Sequence, residues 1–185
     1  MKASIREIVG IVLVCLVVFL GLQFVLQSFR VQGTSMEPSF HDSEYLLVDK
    51  LSYRFGSPGR GDVVIFHNPD FPSELFIKRV VGLPGEKVEI KGGSFYINGM
   101  ELEETPDFAP VPNSEGYSVT VPPDQYFVMG DNRSNTAGSH TFGPVPQDYI
   151  VGKVWVCYWP PSDWGLSPDY SISLQQVILT SLGAI

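Results

Sequence analysis

A serine can cut an amide bond only if another group takes its proton. Ser35 lies in the stretch "GTSMEPSF" (residues 33–40), flanked by Thr34 and Met36, with no obvious partner beside it. Neither a GxSxG elbow nor an HExxH pair occurs in the chain. His41, His67 and His140 are the three histidines, and no two of them have the close spacing of a metal cluster. Any of them could still act as a Ser–His base, because such partners need not be near in sequence. For His41 and His67 an ordinary surface position is the commoner state.

Lys78 offers a different base. In "LFIKRVV" a strand places Phe76, Lys78 and Val80 on one face and Ile77, Arg79 and Val81 on the other. The amine therefore shares its face with apolar neighbours. To take a proton near neutrality its pKa must fall from about 10.4 to about 7–8, a shift of roughly 3–5 kcal/mol. Burial can supply that, and the charge on Arg79 would push weakly the same way. The alternative is a lysine whose stem lies on apolar surface while its head reaches water.

These groups must be held by something. Aromatic residues make up 12% of the 185 positions, and Gly 18 with Pro 15 suggest short strands and turns rather than a helical bundle. Strand-like segments recur at 44–55, 62–69, 74–85 and 87–102, with Asn98-Gly99 as a hairpin turn signal. A polar, Pro-rich loop is expected at 103–116. Beyond it, "GYSVTVPPDQYFVMGDN" returns to strand, and "YIVGKVWVCYWPP" alternates poorly, as a strand buried on both faces would. The expected fold is mainly β, an antiparallel sheet domain tethered by one N-terminal transmembrane helix.

That helix is read from Ile8 to Leu26, an uncharged apolar run. At about 1.5 Å per residue it is long enough to span a bilayer core. "QSFRVQG" follows without a small-x-small pair, which favours a retained anchor over a cleaved leader. Lys2 and Arg6 before the span place residues 1–7 in the cytoplasm and the domain at 27–170 outside. The tail at 171–185 is mildly amphipathic, a pattern that allows a helix. A formal net charge of −8 with no basic stripe argues against a nucleic-acid partner. Cys15 lies in the apolar run and Cys157 in a strand-like segment, so a disulfide between them is not expected.

"GTSMEPSF", "GRGDVVIF" (59–66), "FIKRVVGLPGE" (76–86) and "GDNRSNTAGSHTFGPVP" (130–146), in that order after an anchor, resemble bacterial type I signal peptidase. The resemblance implies a membrane-bound serine endopeptidase with a Ser–Lys dyad and no metal or other cofactor. It also implies a single-chain enzyme that removes signal peptides from exported preproteins after small residues at −1 and −3. Ser35 then matches the nucleophile and Lys78 the general base. Gly33 stands where the family often has a serine that donates to the oxyanion, which leaves the backbone N–H of Ser35. Thr136 matches a serine whose hydroxyl orients the lysine amine.

The substrate would lie extended between "FRVQGTS" and "ELFIK", with Phe29, Val31, Met36, Phe76 and Ile77 walling shallow pockets. The resemblance also implies an apolar surface resting on the lipid bilayer near the site, for which Trp159 and Trp164 are candidates and Trp155 is equally suited to the core. Gly138 and His140 depart from the pattern, standing where the family has an Asp and an Arg in an ion pair. The rival reading is a degenerate, non-catalytic, membrane-anchored peptide-binding homologue, whose mark would be loss of Ser35 or Lys78.

Overall fold

The computed structural model describes residues 5–104, 108–112, 116–168 and 172–174. Helix α1 spans Ile5–Val25 with a mean hydropathy of 3.0 and no residue buried. It is apolar on every side and about 31 Å long, matched by length and composition to a bilayer core. Arg6 and Glu7 fall inside the helix, and Leu26 already belongs to the first strand, β1 (Leu26–Arg30). The backbone N–H of Lys50 donates to Val25 O at 2.9 Å, tying the end of the helix to the β-domain.

After β1 come β2 (Tyr45–Asp49), helix α2 (Ser52–Phe55), β3 (Val63–His67) and β4 (Leu75–Gly82). The expected strand at 44–55 is thus cut short. Asp49 ends it, because its carboxylate accepts from Leu51 N at 2.7 Å and Ser52 Oγ at 2.5 Å and turns the chain into α2. Next follow β5 (Lys87–Lys91), β6 (Ser94–Ile97), β7 (Met100–Glu104), β8 (Ser118–Thr120) and β9 (Gln125–Met129). Asn98 and Gly99 both have positive φ, at 53° and 83°, and make the tight turn between β6 and β7 that their types predict. Glu103 and Glu104, read as loop, continue β7. The remaining elements are α3 (Ser139–Phe142), β10 (Val145–Pro146), β11 (Ile150–Trp159), β12 (Gly165–Leu166) and β13 (Ile172–Leu174).

Every described pairing is antiparallel. One sheet runs β1-β2-β11-β3-β4-β9-β10, with β12 on β11, and a second runs β13-β7-β6-β5-β8. The tail reading changes here: residues 172–174 pair with β7 as a strand, while 171 and 175–185 lie outside the described residues. Strand β11 is also not buried on both faces. Gly152, Val154 and Cys157 point inward, but Trp155 and Trp159 are 51% and 54% exposed. Its alternation is poor because the register shifts between Val154 and Val156 and between Cys157 and Trp159, and each shift resets the face.

Two features of the sheet matter for the site. Strand β1 ends the sheet order, so one of its edges has no neighbouring strand among the described residues. Strand β4 pairs with β3 along Leu75–Arg79, but with β9 only from Arg79 onward, which leaves a second unpaired edge at Leu75–Lys78.

Candidate active site

Ser35 sits in a turn that starts at Gly33, where φ is +82° and a side chain would be strained. The Gly33 N–H donates to Asp42 Oδ1 at 2.7 Å, and this bond with that from Ser43 holds the carboxyl below its ordinary range. Met36 and Phe40, both within 1% of full burial, pin the far side of the turn in the core with Val31 and Ile77. The segment after β9 clasps it from above. Asn132 N donates to Ser35 O at 3.1 Å, Asn132 Nδ2 to Thr34 O at 3.1 Å, and Asn135 Nδ2 to Thr34 Oγ1 at 3.2 Å.

Lys78 Nζ lies 2.7 Å from Ser35 Oγ, and the lysine is only 4% exposed. Burial pushes its amine down from 10.5 to about 8, with the carboxylate of Asp131 opposing the fall. On the opposite face of β4 the guanidinium of Arg79 forks onto Asp131, Nε to Oδ1 at 2.8 Å and Nη2 to Oδ2 at 2.6 Å, with both side chains fully buried. Arg79 Nη1 also donates to Gly61 O at 2.7 Å, and Ser39 Oγ donates to Asp131 Oδ2. The positive charge expected to add weakly to the fall is therefore engaged on Asp131, and desolvation, the larger effect expected, lowers the amine.

Phe29, Ser35, Phe76, Ile77, Lys78 and Thr136 line one cleft of about 790 Å³, which runs between the free edges of β1 and β4. Val31 and Met36 lie deeper, in the buried cluster that underlies the cleft. Thr136 Oγ1 donates its one proton to Ala137 O at 3.2 Å, so toward an amine it can act only as an acceptor. Each histidine has its bond elsewhere: His41 Nδ1 to Glu44 at 3.1 Å, His67 Nδ1 to Pro72 O at 2.7 Å, and His140 Nδ1 to Met129 Sδ at 3.2 Å. No group of three or more His, Cys, Asp or Glu side chains suited to a metal occurs among the described residues. A separate cavity of about 430 Å³ contains Arg133, but its guanidinium is already forked onto Glu104 at 2.5 and 2.6 Å.

Sequence reasoning missed Gly130, Asp131, Asn132 and Asn135 as individuals, although all four stand in the quoted "GDNRSNTAG" block. Gly130 is the most constrained of them. A Cβ there would overlap both Ser35 O and Thr136 Oγ1, so only glycine lets the two segments close on each other. Missed too were Gln27, Ser28 and Glu74 toward one end of the cleft.

An anchored β-domain with a serine hydroxyl against a buried amine has the parts of a serine peptidase. Residues 4–159 match the family "signal peptidase, peptidase S26". A signal peptidase I of Leptolyngbya laminosa is 40% identical over 166 residues, covering 83% of this chain and 81% of that one. A signal peptidase IB of Staphylococcus aureus is 33% identical over 182 residues, covering 89% and 94%. A crystal structure of a signal peptidase I from Enterococcus faecalis V583 is 31% identical and covers 53% of this chain and 97% of that chain, with a TM-score of 0.46. The chain belongs to the signal peptidase family, peptidase S26, as its sequence blocks indicated. Both Ser35 and Lys78 are present, so the mark of a non-catalytic homologue is lacking.

Proposed function

We propose that this chain is a signal peptidase I that cleaves preproteins with Ser35 as nucleophile and Lys78 as general base. The observation that carries this is the 2.7 Å approach of Lys78 Nζ to Ser35 Oγ, made by an amine that burial brings to about 8. When neutral, the amine takes the Ser35 proton as Oγ attacks the scissile carbonyl. The backbone N–H of Ser35 faces the resulting oxyanion, with no side-chain donor available from Gly33. Lys78 then hands the proton to the departing amine, which leaves an ester on Ser35. A water molecule, deprotonated by the same amine, attacks that ester and restores the free hydroxyl. The pair supplies both nucleophile and base within one chain, so we propose a monomer that needs no metal or other cofactor.

The peptide adds as a strand between the two free edges, its side chains alternating into and out of the cleft. Phe29, Phe76 and Ile77 line that cleft over a floor of Val31 and Met36, which leaves space for small residues at −1 and −3. Thr136 accepts from the amine of Lys78 in its protonated form and steadies it. Helix α1 anchors the enzyme in the cytoplasmic membrane, with residues 1–7 inside and the β-domain on the outer face, as Lys2 before the helix and Arg6 in its first turn favour. Trp155, Trp159, Trp164 and Leu166, between 51% and 71% exposed, meet the lipid surface.

The test is cleavage of a preprotein with alanine at −1 and −3 by the purified full chain in detergent. Ser35→Ala, Lys78→Met and Lys78→Arg should each lower the rate by about 10⁴-fold, the last because a guanidinium stays protonated. Ser35→Ala retaining more than a few per cent of the parent rate would overturn the assignment, and so would Lys78→Met.

A further inference from the structure

Gly138 lies in extended backbone, with φ −136° and ψ −166°, a conformation open to any residue. Its lack of a side chain therefore matters for space. A Cβ there would overlap Met129 Sδ and stand 3.0 Å from Val128 O. The same sulfur lies 3.2 Å from His140 Nδ1, two residues further on. Between them, Ser139 Oγ accepts from Val128 N at 2.9 Å and fixes the start of α3 on β9. Met129 is fully buried, so its sulfur has little free volume to enter if displaced.

Met129 also has neighbours that matter to the chemistry. Its backbone pairs with Arg79, the residue after Lys78. The next residue, Gly130, has no room for a Cβ between Ser35 O and Thr136 Oγ1. A shift at Met129 is thus passed to the serine turn, to Thr136 and to the strand that carries the amine. A thioether suits such a place, being soft enough to fill an irregular gap and able to accept weakly from an imidazole N–H. Burial pushes the His140 imidazole below its usual pKa, so at neutral pH the ring is uncharged and can hold its proton on Nδ1.

We propose that Met129, clamped between Gly138 and His140, is a positioning residue for the Ser35–Lys78 site. The proposal rests on the peptidase reading above and extends it to three residues that touch no reacting atom. Gly138 and His140 stand in place of the Asp and Arg of the family's ion pair. In this chain a carboxylate at 138 would collide with the sulfur that does the bracing.

The experiment is a double-mutant cycle on the full chain, with preprotein cleavage resolved into kcat and KM. Gly138→Ala should lower kcat by about tenfold with KM changed less than about twofold, since misplacement acts on the reacting geometry. In the Met129→Ala background the same change should cost less than about threefold, because the sulfur it strikes is gone and only the close approach to Val128 O remains. His140→Ala, which cannot overpack the site, should lower kcat by about threefold with an unfolding midpoint close to the parent's. Independently of activity, nitrogen NMR of the full chain in micelles should find the His140 proton on Nδ1 and see it move to Nε2 in Met129→Leu. Equal penalties for Gly138→Ala in both backgrounds would overturn the proposal, as would a parental kcat in His140→Ala or an Nε2–H tautomer in the parent. A parent that cleaves no preprotein would overturn the peptidase reading together with it, whereas an active parent with multiplicative variants would overturn this proposal alone.

Discussion

Lys78 and Arg79 are adjacent on β4, yet the strand turns one to Ser35 and the other to Asp131. The amine is buried 2.7 Å from the Ser35 hydroxyl, and the charge that opposes the fall in its pKa is the carboxylate that Arg79 already holds. The guanidinium is buried too, but with a bidentate carboxylate and a backbone carbonyl around it. Desolvation thus brings the pKa of the first group down to about 8, while the second is paired with a buried carboxylate. One alternation of the pleat separates the two outcomes.

The pH dependence follows from the amine. Cleavage should rise with pH through an apparent pKa near the value of about 8 to which burial brings Lys78. The folded amine loses its proton near 8, while the unfolded one keeps it to about 10.5. Between these values the unfolded chain binds more protons, so this group makes stability increase with pH. Below about 8 its burial cost is present in full, roughly 3 kcal/mol. Denaturant unfolding should therefore show Lys78→Met more stable than the parent below pH 8, with the gap closing toward pH 10.5. A gap independent of pH would contradict the depressed pKa.

Asp131→Asn should act twice. It removes the buried carboxylate onto which Arg79 forks, which costs about 3–5 kcal/mol in denaturant unfolding. It also removes the charge that opposes the fall in the Lys78 pKa, so the acid limb of the pH–rate profile should move to lower pH. A shift of that limb to higher pH would show that Asp131 does not act on the amine. Arg79→Lys should destabilise as well, since a lysine cannot fork onto both carboxylate oxygens.

Gly130→Ala should lower kcat by about 10²-fold, because the added methyl group must separate Ser35 O from Thr136. The backbone at Gly130 is not left-handed, so conformational strain is not the cause. Combination with Thr136→Ser should recover little, since the overlap with Ser35 O remains. Parental kinetics in Gly130→Ala would mean that the two segments are not in close contact in solution.

The exposed rings of Trp159 and Trp164 predict a difference between substrates. Replacing both with Ser should slow cleavage of a preprotein in lipid vesicles by about tenfold, while a short soluble peptide is cut at a rate within about twofold of the parent's. Equal effects on the two substrates would assign these rings to the fold.

Much of this was written locally. The apolar run specified a helix because twenty or so uncharged residues have no other way to satisfy their backbone in lipid. Asn98-Gly99 specified its turn because both positions need positive φ. The alternation of "LFIKRVV" put Lys78 and Phe76 on one face, and the amine does lie over the Phe76 ring, 5.6 Å from its centre. Ser35 and Lys78 were legible through the blocks that contain them.

Other features needed the chain to fold. Four side chains competed as the partner of Ser35, and the choice of Lys78 over three histidines depends on sheet register bringing together residues 43 apart. Arg79 looked like a source of repulsion until Asp131, 52 positions away, lay beside it. The bulges of β11 turned outward Trp155, a ring equally suited to core or surface by sequence, and Met129 came to fill the space that Gly138 leaves open. Propensity and hydrophobic period act over a few residues, so they can be read along a line. Burial, charge compensation and steric exclusion are sums over whatever the sheets bring near, and those neighbours exist only in three dimensions.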